Sequence, residues 1–349
     1  MVDNANVYRV AGERFDMSKD ATGNSGTTHR YLPFDPWDDG AEERMENMLN
    51  AGRKIMREAI EKYKPVAIFA GFSGGNDSVV VTHFACTEFG ATAIHANTLI
   101  GIEKSRQHAR DTADRFGWQF DEKKSEATGP PKRRRDGSKF DPSILPTGKW
   151  QDGDTKYEEF CFNFGMPGPG QHPRMYQILK ERVFEAYRRE AKQGHSKTAT
   201  VMFVSGVRHD ESTIRAGYKS AIKKVGSSIW VQPFYWQTKV DFAMYRGEFG
   251  LPRNPVTDVV GISGECLCGT MGTRDELDAI AKVEPETTAY IHGLEEKCES
   301  LGLPCRWATR PEPKRKKPDV DPAQLSLFGD EPTFQPACVG CIRRNGRGR

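Results

Sequence analysis

A short apolar run, Pro65-Val66-Ala67-Ile68-Phe69-Ala70-Gly71-Phe72, leads straight into Ser73-Gly74-Gly75-Asn76-Asp77-Ser78. Residues 79–89 then read as a helix that Gly90 stops. A run this short and this apolar predicts a strand buried on both faces. Such a strand needs helices on both sides of its sheet, so this one segment restricts the chain to an α/β architecture. The pattern repeats downstream. Residues 91–98 read as a second strand, 103–116 as a helix closed by Gly117, and 118–120 as a third strand. The alternation predicts a doubly wound, mostly parallel α/β sheet.

The loop between the first strand and its helix carries the chemistry. Two adjacent glycines can take positive φ and turn their N–H groups inward as a nest. The helix start adds unpaired N–H groups and the positive end of its dipole. Ser73 and Ser78 can donate hydroxyls to phosphate oxygens. Asp77 would repel a phosphate unless a cation intervened, so it is assigned to helix capping, to Mg²⁺, or to both. The loop is not a Walker A motif, because no G-x-x-x-x-G-K-[ST] is present.

Around this centre the chain divides into a polar arm (1–34), an α/β domain (35–272), a helical part (273–307), and a linker with a Cys-x-x-Cys tail (308–349). Residues 42–63 place apolar side chains at helical spacing, and Pro65 ends that helix. A basic loop, 121–159, carries Lys132-Arg133-Arg134-Arg135. A long helix is expected over 174–193, strands over 198–205 and 229–234, and helix over 274–301. Lys plus Arg is 51 against 48 Asp plus Glu, a net charge of +3 that by itself points to no nucleic-acid partner. No apolar run reaches the roughly 18 residues a membrane helix needs. The start of the chain has no secretion signal. A cytoplasmic protein with no membrane partner is expected.

Ser73-Gly74-Gly75-Asn76-Asp77-Ser78 resembles the PP-loop of the ATP pyrophosphatases, Ser-Gly-Gly-x-Asp followed by Ser or Thr. Gly206-Val207-Arg208-His209-Asp210-Glu211-Ser212-Thr213-Ile214-Arg215 resembles the Gly-x-Arg-x-x-Glu-Ser-x-x-Arg signature of the phosphoadenosine phosphosulfate (PAPS) reductase family. Gln232-Pro233-Phe234, Val240-Asp241 and Gly250-Leu251-Pro252-Arg253-Asn254-Pro255 are similar to that family's later motifs, in the same order, ahead of Cys266-Leu267-Cys268-Gly269. The resemblance covers roughly residues 60 to 305. It implies a PP-loop (HUP-like) fold with a C-terminal cysteine-bearing segment, within the adenine nucleotide alpha hydrolase-like superfamily. It implies nucleotide contacts from Ser73, Gly74, Gly75, Asn76, Asp77, Ser78, Asn97, Arg208, Glu211, Ser212 and Arg215, with Asp77, Arg208 and Arg215 in catalysis and ATP with Mg²⁺ bound. Independently of the resemblance, Arg208 and Arg215 follow a strand's C-terminal end, where α/β sheets place ligands. Each can grip a phosphate or sulfate bidentately.

The departures point within the superfamily. Asn76 stands where the reductases carry Lys. The chain has no Glu-Cys-Gly-Leu-His ending and no adjacent Cys-Cys pair. This directs the reading to relatives in DNA phosphorothioation and tRNA thiolation. There ATP would be split to AMP and pyrophosphate, and the adenylated acceptor would receive sulfur. A PAPS or adenylyl-sulfate reductase is the alternative. A non-catalytic nucleotide-binding component of a sulfur-transfer complex is a further one.

Of eight cysteines, Cys266, Cys268, Cys338 and Cys341 form two close pairs. Four thiolates suit a [4Fe–4S] cluster, or zinc as the alternative. Cys298 and Cys305 could replace one pair. Cys161 reads as a buried thiol, with a sulfur carrier or ligand as the alternatives, and Cys86 as core. The expected partners are an adenine nucleotide, a DNA or tRNA acceptor met by the basic runs at 132–135, 314–317 and 343–349, and a cysteine desulfurase as sulfur donor. His172, Lys180 and Arg182 could reach the nucleotide, or could be a solvated helix entry.

Overall fold

The computed structural model describes residues 40–134, 136–211, 218 and 220–309. The arm (1–34), most of the linker, Ser212, Arg215, Cys338 and Cys341 lie outside the described residues.

Helix α1 (Ala41–Tyr63) buries Met48, Gly52, Met56 and Ala59 on one face, and Lys64 closes it in the left-handed region at φ 44°. Pro65 cannot continue a helix, and the chain enters β1 (Ile68–Gly71). There follow α2 (Ser78–Phe89), β2 (Thr92–Asn97), α3 (Glu103–Arg115) and β3 (Phe120–Lys124). After a long connection come α4 (Lys156–Phe164) and α5 (His172–Tyr176), which runs through a π-turn (Gln177–Glu181) into α6 (Arg182–Ala191). Then come β4 (Val201–Val204), β5 (Ile222–Val225) and β6 (Ser228–Val231). Four helices complete the described chain: α7 (Lys239–Glu248), α8 (Pro255–Val260), α9 (Arg274–Val283) and α10 (Pro285–Ser300).

The six strands lie in the order β3-β2-β1-β4-β6-β5, all parallel except the edge strand β5. Ala70 of β1 pairs with Ala93 on one side and Val204 on the other. The chain therefore winds outward through β2 and β3, then returns to the opposite side of β1. The switch point between β1 and β4 is where this topology leaves a crevice at the strands' C-terminal ends. One sheet face packs on α1 and α2 through Met56, Phe84 and Phe234. The other packs on α6 through Val183, Phe184 and Tyr187 against Phe203 and Trp230. A second core joins α4, α5 and α8–α10 around Trp307.

Two expectations need correction in detail. The third strand is Phe120–Lys124, because Trp118 stacks on Phe116 (centroids 5.4 Å apart) instead of pairing. The basic loop accordingly loses residues 121–124 to β3 and 156–159 to α4. The stretch 274–301 is helical as expected, in two helices divided where Pro285 lacks the N–H that a continuous helix would use. Strand β5 has no apolar alternation; it forms through a hairpin at Gly226 (φ 60°) and leaves Lys224 and Val225 exposed at the sheet edge. No helix among the described residues is long and apolar enough to cross a membrane.

Glu122 ties β3 to its neighbours. It accepts from Asn97 Nδ2 (2.6 Å) and from Arg110 Nε and Nη2 (2.8 and 2.9 Å). Burial pushes its carboxyl up, but the Arg110 and Asn97 bonds outweigh that and bring the pKa down to about 2. A depressed carboxyl stabilises the fold above its unfolded pKa, and the stabilisation is lost as pH falls from about 5 towards 2. Glu122→Gln is expected to remove on the order of 2 kcal/mol at pH 7 and to lower Tm by roughly 4–8 °C. Melting curves at pH 7 and pH 3 check this. A Tm difference that does not shrink at the lower pH would contradict the assignment.

Candidate nucleotide site

Phe72 leaves β1 with its N–H on Ile94 O (2.9 Å), and the loop begins. Gly74 has φ 74°, and a Cβ there would lie 2.7 Å from Ser105 O, so both backbone and space require glycine. Three successive carbonyls are then each held by a donor. Gly74 O accepts from Asn254 Nδ2 (2.8 Å). Gly75 O accepts from Ser78 Oγ (3.0 Å) and Val79 N (3.1 Å). Asn76 O accepts from Arg246 Nη1 (3.0 Å). In a trans peptide the C=O and N–H point opposite ways, so each fixed carbonyl turns the N–H that follows it, of Gly75, Asn76 or Asp77, away from that carbonyl's partner. Of the glycine pair expected at positive φ, Gly74 adopts it and Gly75 does not. Ser73 Oγ and Ser78 Oγ lie 3.0 Å apart.

Asn254 is the clamp. It is fully buried. Its N–H donates to Asn76 Oδ1 (2.9 Å), its amide nitrogen reaches Gly74 O and Ser105 Oγ, and its Oδ1 caps α8 by accepting from Val256 N (2.9 Å). Asn76, at the position where Lys was noted as the usual residue, faces Asn254 and Asp258 (3.3 Å) with its side chain. Burial lowers the Arg246 guanidinium to about 10, with Asp77 opposing the shift.

Asp77 stands at the head of α2, but its side chain makes no capping hydrogen bond, which corrects that part of the expectation. Its backbone is already helical (φ −91°, ψ −40°), and a capping side chain needs an extended backbone at this position. The carboxylate instead faces Arg208 Nη2 (3.4 Å). Arg208 is fully enclosed, with Asp210 at 2.6 Å from Nη1 and the Phe242 ring 5.3 Å from its guanidinium carbon. Arg208 thus follows β4 as expected and sits against Asp77. Glu211 ends the short 3₁₀ turn His209–Glu211. Asn97, expected among the nucleotide contacts, has its amide nitrogen on Glu122 and its amide oxygen on Leu99 N (2.9 Å).

Between the loop and the π-turn lies a small cleft lined by Ile94, Phe184 and Trp230, with Ser73 and Ser78 at the loop end. His95, Lys180, Ser205 and Glu265 are its other polar residues. Lys180 sits in the π-turn, buried and ion-paired with Glu265. A π-turn inside a helix often marks a functional site. Arg182 is exposed, two residues past the buried lysine. His172 Nδ1 lies 3.0 Å from Thr270 Oγ1.

The cysteine segment is stitched to the β2–α3 connection: Thr98 Oγ1 donates to Glu265 O (2.7 Å) and Ile102 N to Gly264 O (2.8 Å). Cys266 is half-buried and Cys268 buried, with Cys268 Sγ 3.3 Å from Thr270 Oγ1. The hydrogen bond to Cys268, then burial, holds the Cys266 thiol well above its usual range. Cys161 and Cys298 are buried together, with Cys298 Sγ 3.4 Å from Cys161 O. Burial pushes the Cys161 thiol up, while its hydrogen bond to Cys298 pulls the Cys298 thiol down. Among the described residues no group of three His, Cys, Asp or Glu side chains could hold a metal ion. Cys266 and Cys268 alone do not build the expected four-thiolate set.

Sequence reasoning passed over Arg246, His95 and Glu265. Only Asn254 had a local signal, within Gly250-Leu251-Pro252-Arg253-Asn254-Pro255. The sheet order and the strand–loop–helix around Ser73–Ser78 make this a mostly parallel, doubly wound α/β protein. No family model and no curated protein matches the chain. Among solved structures it is similar to phosphoadenylyl-sulfate (PAPS) reductase from Candida auris in a phosphate complex, at 13% identity over 62% of this chain and 91% of that one, TM-score 0.40. It is similar to NMN synthetase from Francisella tularensis, at 14% identity over 77% and 93%, TM-score 0.38. It is also similar to the U34-tRNA thiolase NcsA from Methanococcus maripaludis with its [4Fe-4S] cluster, at 13% identity over 74% and 80%, TM-score 0.35.

Proposed function

We infer that this chain is a PP-loop ATP pyrophosphatase, cleaving ATP between its α and β phosphates to adenylate an acceptor that then takes sulfur. The observation that carries the reading is the fixing of the Gly74, Gly75 and Asn76 carbonyls, each by its own donor, which turns the N–H groups that follow them away from those partners. Those donors and the Ser73 and Ser78 hydroxyls hold the pyrophosphate end of ATP. An oxygen of the acceptor attacks the α phosphorus, and pyrophosphate leaves into the loop. The charge gained by the leaving group meets dipoles already in place, so the loop contributes preorganised electrostatic stabilisation. Mg²⁺ arriving with the nucleotide would neutralise phosphate charge, and Asp77 is the carboxylate that would hold it, steadied by Arg208. The departures from the reductase pattern favour a nucleic-acid acceptor of the thiolation or phosphorothioation type. Its sulfur would come from a donor such as a cysteine desulfurase, in a cytoplasmic setting.

Pyrophosphate binding tests the loop directly. Gly74→Ala forces a Cβ into the left-handed region and against Ser105 O. The backbone strain alone is about 1–2 kcal/mol, so at least a tenfold loss of Mg²⁺–pyrophosphate affinity is expected by titration calorimetry. Unchanged affinity would sink the assignment of the loop.

A further inference from the structure

β3 runs parallel to β2 and β2 to β1, so the connection that leaves β3 starts at the sheet edge that carries the phosphate loop. Its root is pinned. Ser125 Oγ donates to Leu179 O in the π-turn (2.7 Å), Lys156 N to Ser125 O (3.0 Å), and Thr128 N to Glu159 Oε1 (3.0 Å). From this root the chain runs out as a two-stranded ribbon. Arg133 pairs antiparallel with Lys139, with Arg134 N on Ser138 O (2.7 Å) and Phe140 N on Lys132 O (3.3 Å). Asp136 Oδ1 holds the turn by accepting from Ser138 N (2.9 Å) and Ser138 Oγ (2.6 Å).

This pattern makes Arg133 and Lys139 a non-hydrogen-bonded pair, the kind that brings opposed side chains closest. Like charges placed so are destabilising. Successive side chains of a strand point to opposite faces, so Arg133 and Lys139 share one face, and Lys132 and Arg134 take the other. All four are exposed, and none has an ion-pair partner among the described residues. A patch that lies flat on a polyanion needs cations on one face only. Cations on both faces of a narrow ribbon fit a groove with a row of phosphates on either side. The major groove of B-form DNA, about 12 Å wide, admits a two-stranded ribbon, whereas that of A-form RNA is too deep and narrow for side chains to read.

We propose that the ribbon strands 132–134 and 138–140 enter the major groove of a B-form DNA duplex, with Lys132 and Arg134 on one phosphate row and Arg133 and Lys139 on the other, and so hold the duplex at the sheet edge that carries the phosphate loop. The proposal rests on the nucleic-acid acceptor of the preceding section and narrows it to duplex DNA. The charge that the ribbon holds against itself in the free protein is then neutralised by the phosphates, with release of their counterions.

The test titrates the full chain into a fluorescently labelled DNA duplex, and into labelled tRNA, by anisotropy over a range of salt concentrations. Each phosphate contact on B-form DNA steepens the fall of log affinity with log salt by about 0.9. Wild type is expected to bind the duplex. Each of the doubles Lys132→Gln/Arg134→Gln and Arg133→Gln/Lys139→Gln is expected to make that slope shallower by about 2 and to weaken binding about tenfold or more. The side chains are exposed, so Tm and Mg²⁺–pyrophosphate affinity should stay at their wild-type values. Lys54→Gln/Arg57→Gln removes the same charge from exposed positions of α1 and should leave the slope unchanged. A loss in only one ribbon double, an equal loss in the α1 double, or tRNA binding that depends on the ribbon while duplex binding does not, would overturn the groove assignment. A wild type that binds the duplex with a slope neither ribbon double alters would overturn the ribbon and leave the nucleic-acid acceptor standing. A wild type that binds neither nucleic acid would overturn the acceptor reading, and the ribbon with it.

Discussion

Asn254→Ala is expected to destabilise the fold by about 2–4 kcal/mol and to weaken Mg²⁺–pyrophosphate binding on the order of 100-fold. The substitution removes two side-chain functions at once. Val256 N loses its cap, a loss of about 1 kcal/mol. Gly74 O, inside the protein, loses its donor, which costs about 1–3 kcal/mol if nothing replaces it. The Asn254 N–H to Asn76 Oδ1 bond survives, since it belongs to the backbone. The peptide that follows Gly74 then has no fixed anchor, and it can turn its carbonyl towards the phosphates. Asn254→Asp separates the two effects. Its carboxylate can still cap Val256 N but has no hydrogen to give Gly74 O, so stability should recover more than affinity. Denaturant unfolding and calorimetric titration on the three proteins check this; loss of stability with full pyrophosphate affinity would contradict the clamp.

The second large effect belongs to Asp77. Asp77→Ala is expected to lower the rate of AMP formation at least 1,000-fold, through loss of the carboxylate at the phosphate end of the site. It also takes one carboxylate from the enclosed Arg208, which keeps its ion pair with Asp210. Removing one partner of a buried ion pair destabilises by about 3–5 kcal/mol, and Asp210 is expected to hold the loss to the lower end. Asp77→Asn keeps the volume and can still accept from Arg208, so its Tm should lie between wild type and Asp77→Ala while its activity stays low. An Asp77→Asn protein with wild-type turnover would show that Asp77 serves only to pair Arg208.

Much of this architecture is legible in the sequence because its elements are locally determined. The apolar strand of residues 65–72, the glycine pair and the Gly90 stop each act within a few residues, and the strand–loop–helix order follows from them. What is not legible depends on contacts far apart in the chain. Asn254 meets Gly74 across 180 residues and Arg246 meets Asn76 across 170, so neither pairing leaves a local trace. His95 lies within an apolar strand segment and reads as packing until its Nδ1 is seen 2.7 Å from Phe72 O. Asp77 has the residue type of a helix cap, but the loop delivers it already helical and facing an arginine from beyond β4. The edge strand β5 escapes because it is held by a hairpin and carries Lys at two of its four positions.

The central claim is tested most directly by incubating the full chain with Mg²⁺ and ATP labelled at the α phosphate, with and without DNA or tRNA, under anaerobic conditions. AMP and pyrophosphate in equal amounts, stimulated by one nucleic acid and lost in Asp77→Ala, is the predicted result. ADP and inorganic phosphate as products, or no cleavage of ATP beside release of sulfite from PAPS, would contradict it.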